Sequence, residues 1–233
     1  MTEDKFIEEL NKKNIEINDT QLKQLNRYYE LLVEWNEKIN LTSIIEKKDV
    51  YLKHFYDSLM MSEVIDLKNE ESLCDIGTGA GFPGLVLKIV YPNLKITLLD
   101  ALEKRIKFLN IVIKELDLKN IEAVHTRSED YAKDKRNKFD ITTARAVAHL
   151  STLLEYAIPL TKEGKYFIPL KANVDEEILE TSNALKQLNT KLLEKKEIFL
   201  PIELSKRTIL KYQKLKDNKK FPRKYSEIKK NRL

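Results

Sequence analysis

The run LCDIGTGAGFPG, residues 73–84, decides the fold of this chain, because it holds four of only five glycines in 233 residues. These are Gly77, Gly79, Gly81 and Gly84. A short apolar stretch, 72–76, precedes the run, and Pro83 stands where a helix over 85–90 would begin, so the pattern predicts a strand, a tight turn and a helix. Glycines let a ligand approach the backbone closely, and a helix N-terminus offers unpaired N–H donors. The turn is therefore predicted to bind a nucleotide-like ligand.

The identity of that ligand depends on Asp75 more than on the glycines. Residues 79–84 also satisfy the G-x-G-x-x-G pattern of dinucleotide-binding folds, which by itself is a weak signal. The Asp75 carboxylate would repel a pyrophosphate and attract the sulfonium and amino group of S-adenosylmethionine. An acidic residue followed by x-G-x-G-x-G is similar to the first motif of methyltransferases that use this cofactor. The structural alternative is a strand-end carboxylate held by nearby backbone donors.

A second carboxylate supports a ribose-bearing ligand. The segment 95–99 has the pattern of a buried strand and ends at Asp100, about twenty residues past the glycines, where an acid can accept both ribose hydroxyls. Asp100 and Glu103 also have the spacing of a capping box for a helix over 102–116. Both roles are compatible. Because dinucleotide-binding folds also place an acid here, Asp100 does not distinguish S-adenosylmethionine from a dinucleotide, and only Asp75 does so.

The rest of the chain predicts a helical head followed by an open α/β sheet. Apolar residues at three- and four-residue steps predict an amphipathic helix over 19–40, whose stripe we expect to pack on the next domain, and a second helix covers 50–64. Strands and helices then alternate, which indicates parallel crossovers ending in an antiparallel hairpin. The seven predicted strands are 72–76, 95–99, 121–125, 139–143, 165–169, 191–199 and 207–213. Such a sheet, with helices on both faces, resembles the class I, Rossmann-like methyltransferase fold. We divide the chain into an N-terminal helical extension (1–66), a methyltransferase domain (67–213) and a C-terminal tail (214–233).

In such sheets the ligand lies beyond the carboxyl ends of the strands, so the residues that follow each strand are the candidate site. Ser128 and Glu129 follow the third strand and are placed to contact an adenine, although Ser128 could equally be a helix cap. Arg145 follows the fourth strand, where the target atom should approach, and its alternative is a surface ion pair. Lys171 follows the fifth strand, and its alternative is a solvated lysine.

The absence of certain residue types limits which acceptor atoms the chain is predicted to methylate. The acidic or amide residue, prolines and aromatic that often serve exocyclic amine targets are absent after the fourth strand. The only cysteine, Cys74, lies inside the first strand, where it cannot act as the nucleophile of pyrimidine C5 methylation. Guanine N7 carries a lone pair and no proton, so methyl transfer to it needs alignment and no general base. An arginine such as Arg145, which offers planar donors, suits a guanine edge or a phosphate.

Composition and charge favour a cytoplasmic enzyme that meets nucleic acid. One cysteine and three scattered histidines predict neither a disulfide framework nor a metal site, and no apolar run is long enough to span a membrane. The tail from Lys214 to Leu233 has nine Lys or Arg and two acids, a local charge of +7, which leaves about −2 of the total +5 for residues 1–213. Its cations surround Phe221 and Tyr225, which suits phosphate neutralisation with base stacking. The alternative is a solvated, mobile terminus.

Nearly end to end, the chain resembles the bacterial small-subunit ribosomal RNA guanine-N7 methyltransferases, also called glucose-inhibited division protein B. The residues that carry the likeness are Asn40-Leu41-Thr42, His54, Asp57-Ser58, the run DIGTGAGFPG, the segment TLLDALEKRIKFL, Ser128-Glu129, Ala144-Arg145-Ala146 and Phe221-Pro222-Arg223-Lys224. The resemblance implies methyl transfer from S-adenosylmethionine to N7 of one guanosine, position 527, in the 16S RNA of the small ribosomal subunit. It implies cofactor contacts at Gly77, Phe82, Asp100, Ser128, Glu129 and Arg145, to which the motif adds Asp75 and Gly79. Substrate contacts are expected from Arg145, Lys171, Arg223 and Lys224.

The chain departs from the family pattern at two positions near the site. Ala172 follows the lysine of the fifth strand, where glycine is common, and Ala80 stands where proline is frequent. We expect a monomer without a metal ion. Three alternatives remain: a methyltransferase for small molecules, a dehydrogenase that binds a nicotinamide, and a non-catalytic protein that binds RNA through its tail.

Overall fold

The computed structural model describes all 233 residues and contains one sheet of eight strands. The strands are β1 (Ser72–Ile76), β2 (Lys95–Asp100), β3 (Ile121–His125), β4 (Phe139–Thr143), β5 (Thr161–Phe167), β6 (Leu170–Lys171), β7 (Thr190–Phe199) and β8 (Lys206–Lys214). Their order is β3-β2-β1-β4-β5-β8-β6, with β7 paired to β8. Strands β1 to β5 run parallel, and β8 runs antiparallel to β5 and β7. The predicted open α/β sheet with a terminal hairpin is confirmed.

The sheet has one strand more than the seven predicted, because the predicted strand 165–169 is broken. Strand β5 ends at Phe167, and β6 resumes at Leu170 beyond Pro169, whose nitrogen has no hydrogen to donate to a ladder. Both pieces pair with β8.

Helices cover both faces of the sheet. They are α1 (Glu3–Asn11), α2 (Asp19–Ile39), α3 (Lys47–Asp49), α4 (Asp57–Leu59), α5 (Gly84–Val90), α6 (Glu103–Glu115), α7 (Ser128–Asp134), α8 (Leu150–Ala157), α9 (Asp175–Leu179), α10 (Ser182–Gln187) and α11 (Tyr225–Lys230). A π-helical segment (Val50–Tyr56) joins α3 to α4, and a 3-10 turn (Met60–Glu63) completes the second helix of the head. Successive residues of β1 point to opposite faces, so Leu73 joins the core of the head and α5, whereas Cys74 joins the core of α8 and α10. No helix is both long and apolar enough to cross a membrane.

The head packs on the α/β sheet domain, as the apolar stripe of α2 predicts, and it also contacts the glycine turn. Leu25 and Leu32 of that stripe are fully buried, and Leu22, Tyr29, Trp35 and Ile39 pack against the same core. The Gln21 amide donates to the carbonyl oxygens of Ile89 and Val90 at 3.0 and 3.1 Å, which caps the C-terminal end of α5. The Tyr28 hydroxyl donates to the carbonyl of Ala80 inside the glycine turn. The head therefore holds the turn from the outside.

The basic tail packs on the domain instead of forming a solvated terminus. Phe221 and Ile228 are buried, and the fully buried Lys214 amine donates to the Asn137 amide oxygen at 2.6 Å, to the Thr161 carbonyl at 3.0 Å and to Asp217 at 2.7 Å. Several of the tail's polar groups thus serve the fold.

Candidate functional site

The glycine turn is fixed from below by Asp75. One oxygen of this carboxylate, Oδ2, accepts hydrogen bonds from the Thr78 hydroxyl at 2.7 Å and from the Gly84 amide at 2.8 Å. Gly84 has no room for a side chain, because a Cβ there would lie 2.3 Å from Leu98 and 2.9 Å from Asp75 Oδ2. The start of α5 is thereby held against β2, and the backbone above Asp75 has one fixed conformation.

The other oxygen of Asp75, Oδ1, is buried and has no hydrogen-bond partner. Burial raises the pKa of Asp75 to about 7, although the bonds from Thr78 and Gly84 oppose the shift. A buried acceptor without a donor is costly, and a cationic ligand against this turn would offset that cost. In the turn that follows Asp75, Gly79 has a φ of +61° and open space where a Cβ would project, 4.0 Å from the nearest atom. These features fit S-adenosylmethionine, whose amino group and sulfonium are cationic.

Asp100 ties β2 to the same turn. Its Oδ2 accepts from the Gly79 amide at 3.0 Å and from Arg105 at 3.2 Å, and its Oδ1 accepts from the Leu102 amide at 2.9 Å. The predicted capping box with Glu103 is not formed, because Leu102 is the N-cap of α6 and makes no side-chain cap. Oδ2 already accepts two bonds, whereas Oδ1 accepts one and keeps a second lone-pair site, so Oδ1 can still accept a ribose hydroxyl.

A small cavity of about 110 Å³ brings together four of the predicted cofactor residues, Gly77, Asp100, Ser128 and Glu129. Glu129 Oε1 is buried there without a partner, a second orphaned acceptor that a ligand donor would satisfy. Ser128 is not the cap of α7, since Arg127 holds that position. Val147 leans over Gly77 so closely that a Cβ at Gly77 would be 2.8 Å from it. The cavity is thus narrow at Val147.

The tail reaches the outer rim of this cavity. Arg127, which lines the cavity, stacks its guanidinium 4.0 Å from the ring centre of Tyr225. Tyr156 lines the same rim from α8. The sequence predicted Tyr225 as a residue for stacking on RNA bases, whereas the structure places it beside the predicted cofactor residues.

Arg145 lies in a separate cleft, where three of its five N–H donors are engaged in hydrogen bonds. Its Nη1 donates to the Lys53 carbonyl and to Asp57 Oδ2, each at 3.0 Å, and its Nη2 donates to His54 Nδ1 at 3.1 Å. The side chains of Arg145 and Asp57 are only 13% and 7% exposed, so the pair is not the surface ion pair considered as the alternative. The guanidinium also lies 5.2 Å from the centre of the Phe82 ring.

His54 is held neutral between two partners. Because Arg145 can only donate, His54 Nδ1 is the acceptor and its Nε2–H donates to the Thr42 hydroxyl at 3.0 Å. Burial, followed by the charge of Arg145, lowers the pKa of His54 to about 3. The imidazole stacks on Phe82 at 4.3 Å. Phe82, predicted to contact the cofactor, therefore packs behind Arg145 and His54 and is not among the residues that line the small cavity.

The cleft has a volume of about 410 Å³, and four of its five charged lining residues are cations. Its walls are formed by Ile44, Lys53, His54, Asp57, Arg145, Ala146, Leu170, Lys171, Ala172, Asn173 and Arg207. Asp57 is its single carboxylate and bridges two cations, with Oδ2 on Arg145 at 3.0 Å and Oδ1 on Arg207 at 3.4 Å. Lys171 is placed here as predicted, paired with Glu177 at 2.7 Å and donating to the Ala148 carbonyl at 3.1 Å. Sequence reasoning assigned no role to Asp57, Lys53 or Arg207.

Arg223 and Lys224, predicted to bind RNA, do not line this cleft. The Arg223 guanidinium donates to Glu155 at 2.9 Å and 2.6 Å, and its main-chain amide donates to the same carboxylate at 2.9 Å. The Glu155 side chain is only 1% exposed. The charge of Arg223 thus neutralises a buried carboxylate, and its contact with RNA stays a prediction. Lys224 is exposed at the N-cap of α11.

The two cavities meet at the segment after β4. Arg145 and Ala146 line the cationic cleft, and Val147 lines the small cavity. Ala146 has a φ of +55°, an uncommon conformation for a residue with a Cβ, which turns the chain between the two. The structure contains no cluster of His, Cys, Asp or Glu side chains that could hold a metal ion, and burial raises the pKa of the Cys74 thiol well above its ordinary value.

Solved structures share this fold. A SAM-dependent methyltransferase from Aquifex aeolicus superposes with a TM-score of 0.55 at 17% identity, covering 78% of this chain and 98% of that one. TYW2 from M. jannaschii, solved in complex with AdoMet, gives a TM-score of 0.56 at 12% identity, covering 74% and 80%. The class I methyltransferase fold is therefore confirmed.

Sequence comparison identifies the family. The model described as GidB, rRNA small subunit methyltransferase G, matches residues 21–202. Proteins named ribosomal RNA small subunit methyltransferase G are 49% identical in Bacillus licheniformis and in Macrococcus caseolyticus, and both alignments cover 96% of this chain and 95% of the relative. The relative from Lysinibacillus sphaericus is 46% identical, with 96% of each chain covered. The chain belongs to the rRNA small subunit methyltransferase G (GidB) family.

Proposed function

We propose that this chain transfers a methyl group from S-adenosylmethionine to N7 of one guanosine in 16S ribosomal RNA. The target that the family resemblance implies is position 527. The observation that carries the proposal is the continuity of residues 145–147, which line the cationic cleft on one side and the small cavity on the other. The small cavity suits a cofactor and the cationic cleft suits a nucleotide, so the chain can place the methyl group of the cofactor next to the acceptor nucleotide.

The small cavity and the glycine turn supply the cofactor groups. Asp75 and the open backbone at Gly79 suit the cationic amino-acid end, whereas Asp100 suits the ribose. Ser128 and the unpartnered Oε1 of Glu129 suit the adenine side. When bound, S-adenosylmethionine supplies an electrophilic methyl group on a sulfonium.

The cationic cleft suits an RNA nucleotide. Four cations and one carboxylate line it, and although Lys53 and Lys171 also pair with Glu203 and Glu177 outside the lining, the cations outnumber these three carboxylates, which favours a polyanion over a cationic small molecule. Arg145 is oriented by Asp57 and His54, so its planar donors are positioned before the substrate arrives. The two N–H groups of Arg145 that make no bond within the chain suit guanine O6 or a neighbouring phosphate and leave N7 free for the methyl group.

The cleft supplies no free general base, and none is needed for guanine N7, because that atom carries no proton. His54 has both ring nitrogens engaged, and Asp57 is held by two arginines. Amine or hydroxyl acceptors need a group that removes a proton, whereas guanine N7 attacks through its lone pair.

We expect the enzyme to work in the cytoplasm as a monomer. Sedimentation of the purified chain would test the monomeric state.

The proposal is tested by offering different acceptors with methyl-labelled S-adenosylmethionine. We expect label in the 16S RNA of unmodified small subunits, recovered as 7-methylguanosine after nuclease digestion, and none in small phenols or amines. Label in small molecules alone would favour the alternative of a small-molecule methyltransferase.

In Arg145→Ala we expect S-adenosylhomocysteine to bind as in the wild type while methyl transfer falls at least about a hundredfold, which corresponds to an increase of about 2.7 kcal/mol in the activation free energy. Unchanged transfer would remove Arg145 from the site.

A further inference from the structure

The turn between β7 and β8 exposes large apolar side chains. Phe199 is 61% exposed, Ile202 is 63% exposed and Leu204 is 71% exposed. We refer to residues 199–204 as the apolar hairpin tip. Single exposed apolar residues are common on protein surfaces, but three within six residues indicate a contact surface.

The backbone of the tip is well defined. Leu200 is fully buried and anchors the turn, and its main chain is bonded to Leu204 and to Ser205 at 3.0 Å each. Ile202 and Leu204 have φ values of +77° and +53°, which are unfavourable for side chains with a Cβ and most of all for a β-branched one. The turn thus holds Ile202 and Leu204 outward in spite of their backbone preference.

The tip is continuous with the cationic cleft. Strand β7 is antiparallel to β8, which is antiparallel to β5, so β7 ends at the same edge of the sheet as the parallel strands. Glu203 of the tip pairs with Lys53 of the cleft at 2.8 Å. Arg207, at the other end of the turn, lines the cleft and bonds Asp57. Whatever fills the cleft and extends beyond it on this side would meet Ile202 and Leu204.

We propose that the apolar hairpin tip is an RNA-contacting wedge that packs against the bases flanking the target guanosine. This inference rests on the proposed function, because it takes the occupant of the adjacent cleft to be RNA. Cations suit the phosphates of RNA, but an unstacked base presents an apolar face that cations do not cover. Proteins that distort nucleic acids insert Phe, Leu or Ile side chains between bases for this reason. Three such side chains beside four cations provide both kinds of contact.

A double substitution, Ile202→Ser with Leu204→Ser, tests the wedge. We expect kcat/KM for small subunits to fall at least about tenfold, with unchanged thermal stability and unchanged affinity for S-adenosylhomocysteine. The matched control is Leu193→Ser with Leu215→Ser, which removes leucines that are 45% and 51% exposed at the opposite end of the same hairpin. The control should retain wild-type methylation. Equal kcat/KM for the tip variant and the wild type would overturn the proposal, whereas a wild-type chain that methylates no RNA would instead overturn the proposed function.

Photocrosslinking identifies the partner. The full chain with benzoylphenylalanine in place of Leu204 is irradiated with unmodified small subunits, and the crosslinked product is digested. The proposal predicts a crosslink to 16S RNA within a few nucleotides of the methylated guanosine. A crosslink to a ribosomal protein, to a second copy of this chain or to distant RNA would overturn it, as would the lack of any crosslink.

Discussion

The ion pair between Arg223 and Glu155 makes a quantitative prediction about the tail. Arg223→Ala leaves the Glu155 carboxylate, 1% exposed, with only the main-chain amide of residue 223 among its three present bonds. Removing one partner of a buried ion pair costs about 3–5 kcal/mol. Because the amide donor stays and Arg223 is itself 21% exposed, we expect a loss of about 3 kcal/mol in the free energy of unfolding. For a chain of this size, that lowers the melting temperature by about 6–12 °C.

Urea unfolding and calorimetry at pH 7 measure this loss. Lys224→Ala, the exposed neighbouring cation, is the control and should change stability by less than about 0.5 kcal/mol. Glu155→Gln added to Arg223→Ala should recover part of the loss, because it removes the unpaired charge. If Arg223→Ala left stability unchanged but weakened RNA binding and lowered the salt slope by about one, Arg223 would be an RNA contact and the reasoning would be refuted.

Three further predictions follow from the site. Because the pKa of Asp75 is raised to about 7, the native chain binds this proton more tightly than the unfolded chain, so ligand-free stability should fall by up to about 4 kcal/mol as the pH rises from about 4 to 7. Urea unfolding at pH 5 and pH 8 should show that decrease in the wild type and a smaller one in Asp75→Asn; equal decreases would contradict the shift. Arg145→Lys replaces a planar guanidinium with three partners by a point charge, so methyl transfer should fall about tenfold or more with S-adenosylhomocysteine affinity unchanged in calorimetric titration. Gly84→Ala should destabilise the fold by about 1–3 kcal/mol or more, since its Cβ would meet Leu98. Gly79→Ala should lower the melting temperature less than Gly84→Ala does but weaken S-adenosylhomocysteine binding more. The opposite ranking of the two variants would contradict the assignment of Gly79 to the cofactor side.

Much of the fold was predictable because local patterns and the sheet geometry agree. The strand before the glycine turn and those ending at Asp100 and Thr143 lie as predicted, since each is a short run rich in apolar or β-branched residues. The same geometry brought Ser128 and Arg145 to the carboxyl edge of the sheet.

The site residues that could not be predicted are those placed by contacts between segments far apart in the sequence. Asp57 and His54 reach Arg145 across about ninety residues, through packing of the head on the domain. Arg207 comes from an antiparallel strand, to which the rule about residues after parallel strands does not apply. The pairing of Arg223 with Glu155 had one sequence signal, the position of Glu155 on the apolar face of helix α8, where an unpaired carboxylate would be costly.

Transfer of a methyl group to guanine N7 is tested by mapping N7-methylguanine in 16S RNA after reaction of the purified chain with unmodified small subunits and S-adenosylmethionine. Borohydride reduction followed by aniline cuts RNA at N7-methylguanine. We expect a new cut at one guanosine, position 527, that requires both the chain and the cofactor and is lost in Arg145→Ala. RNA that takes up methyl label without any new cut, or cuts at many guanosines, would contradict the claim that the cleft presents one guanine N7 to the cofactor.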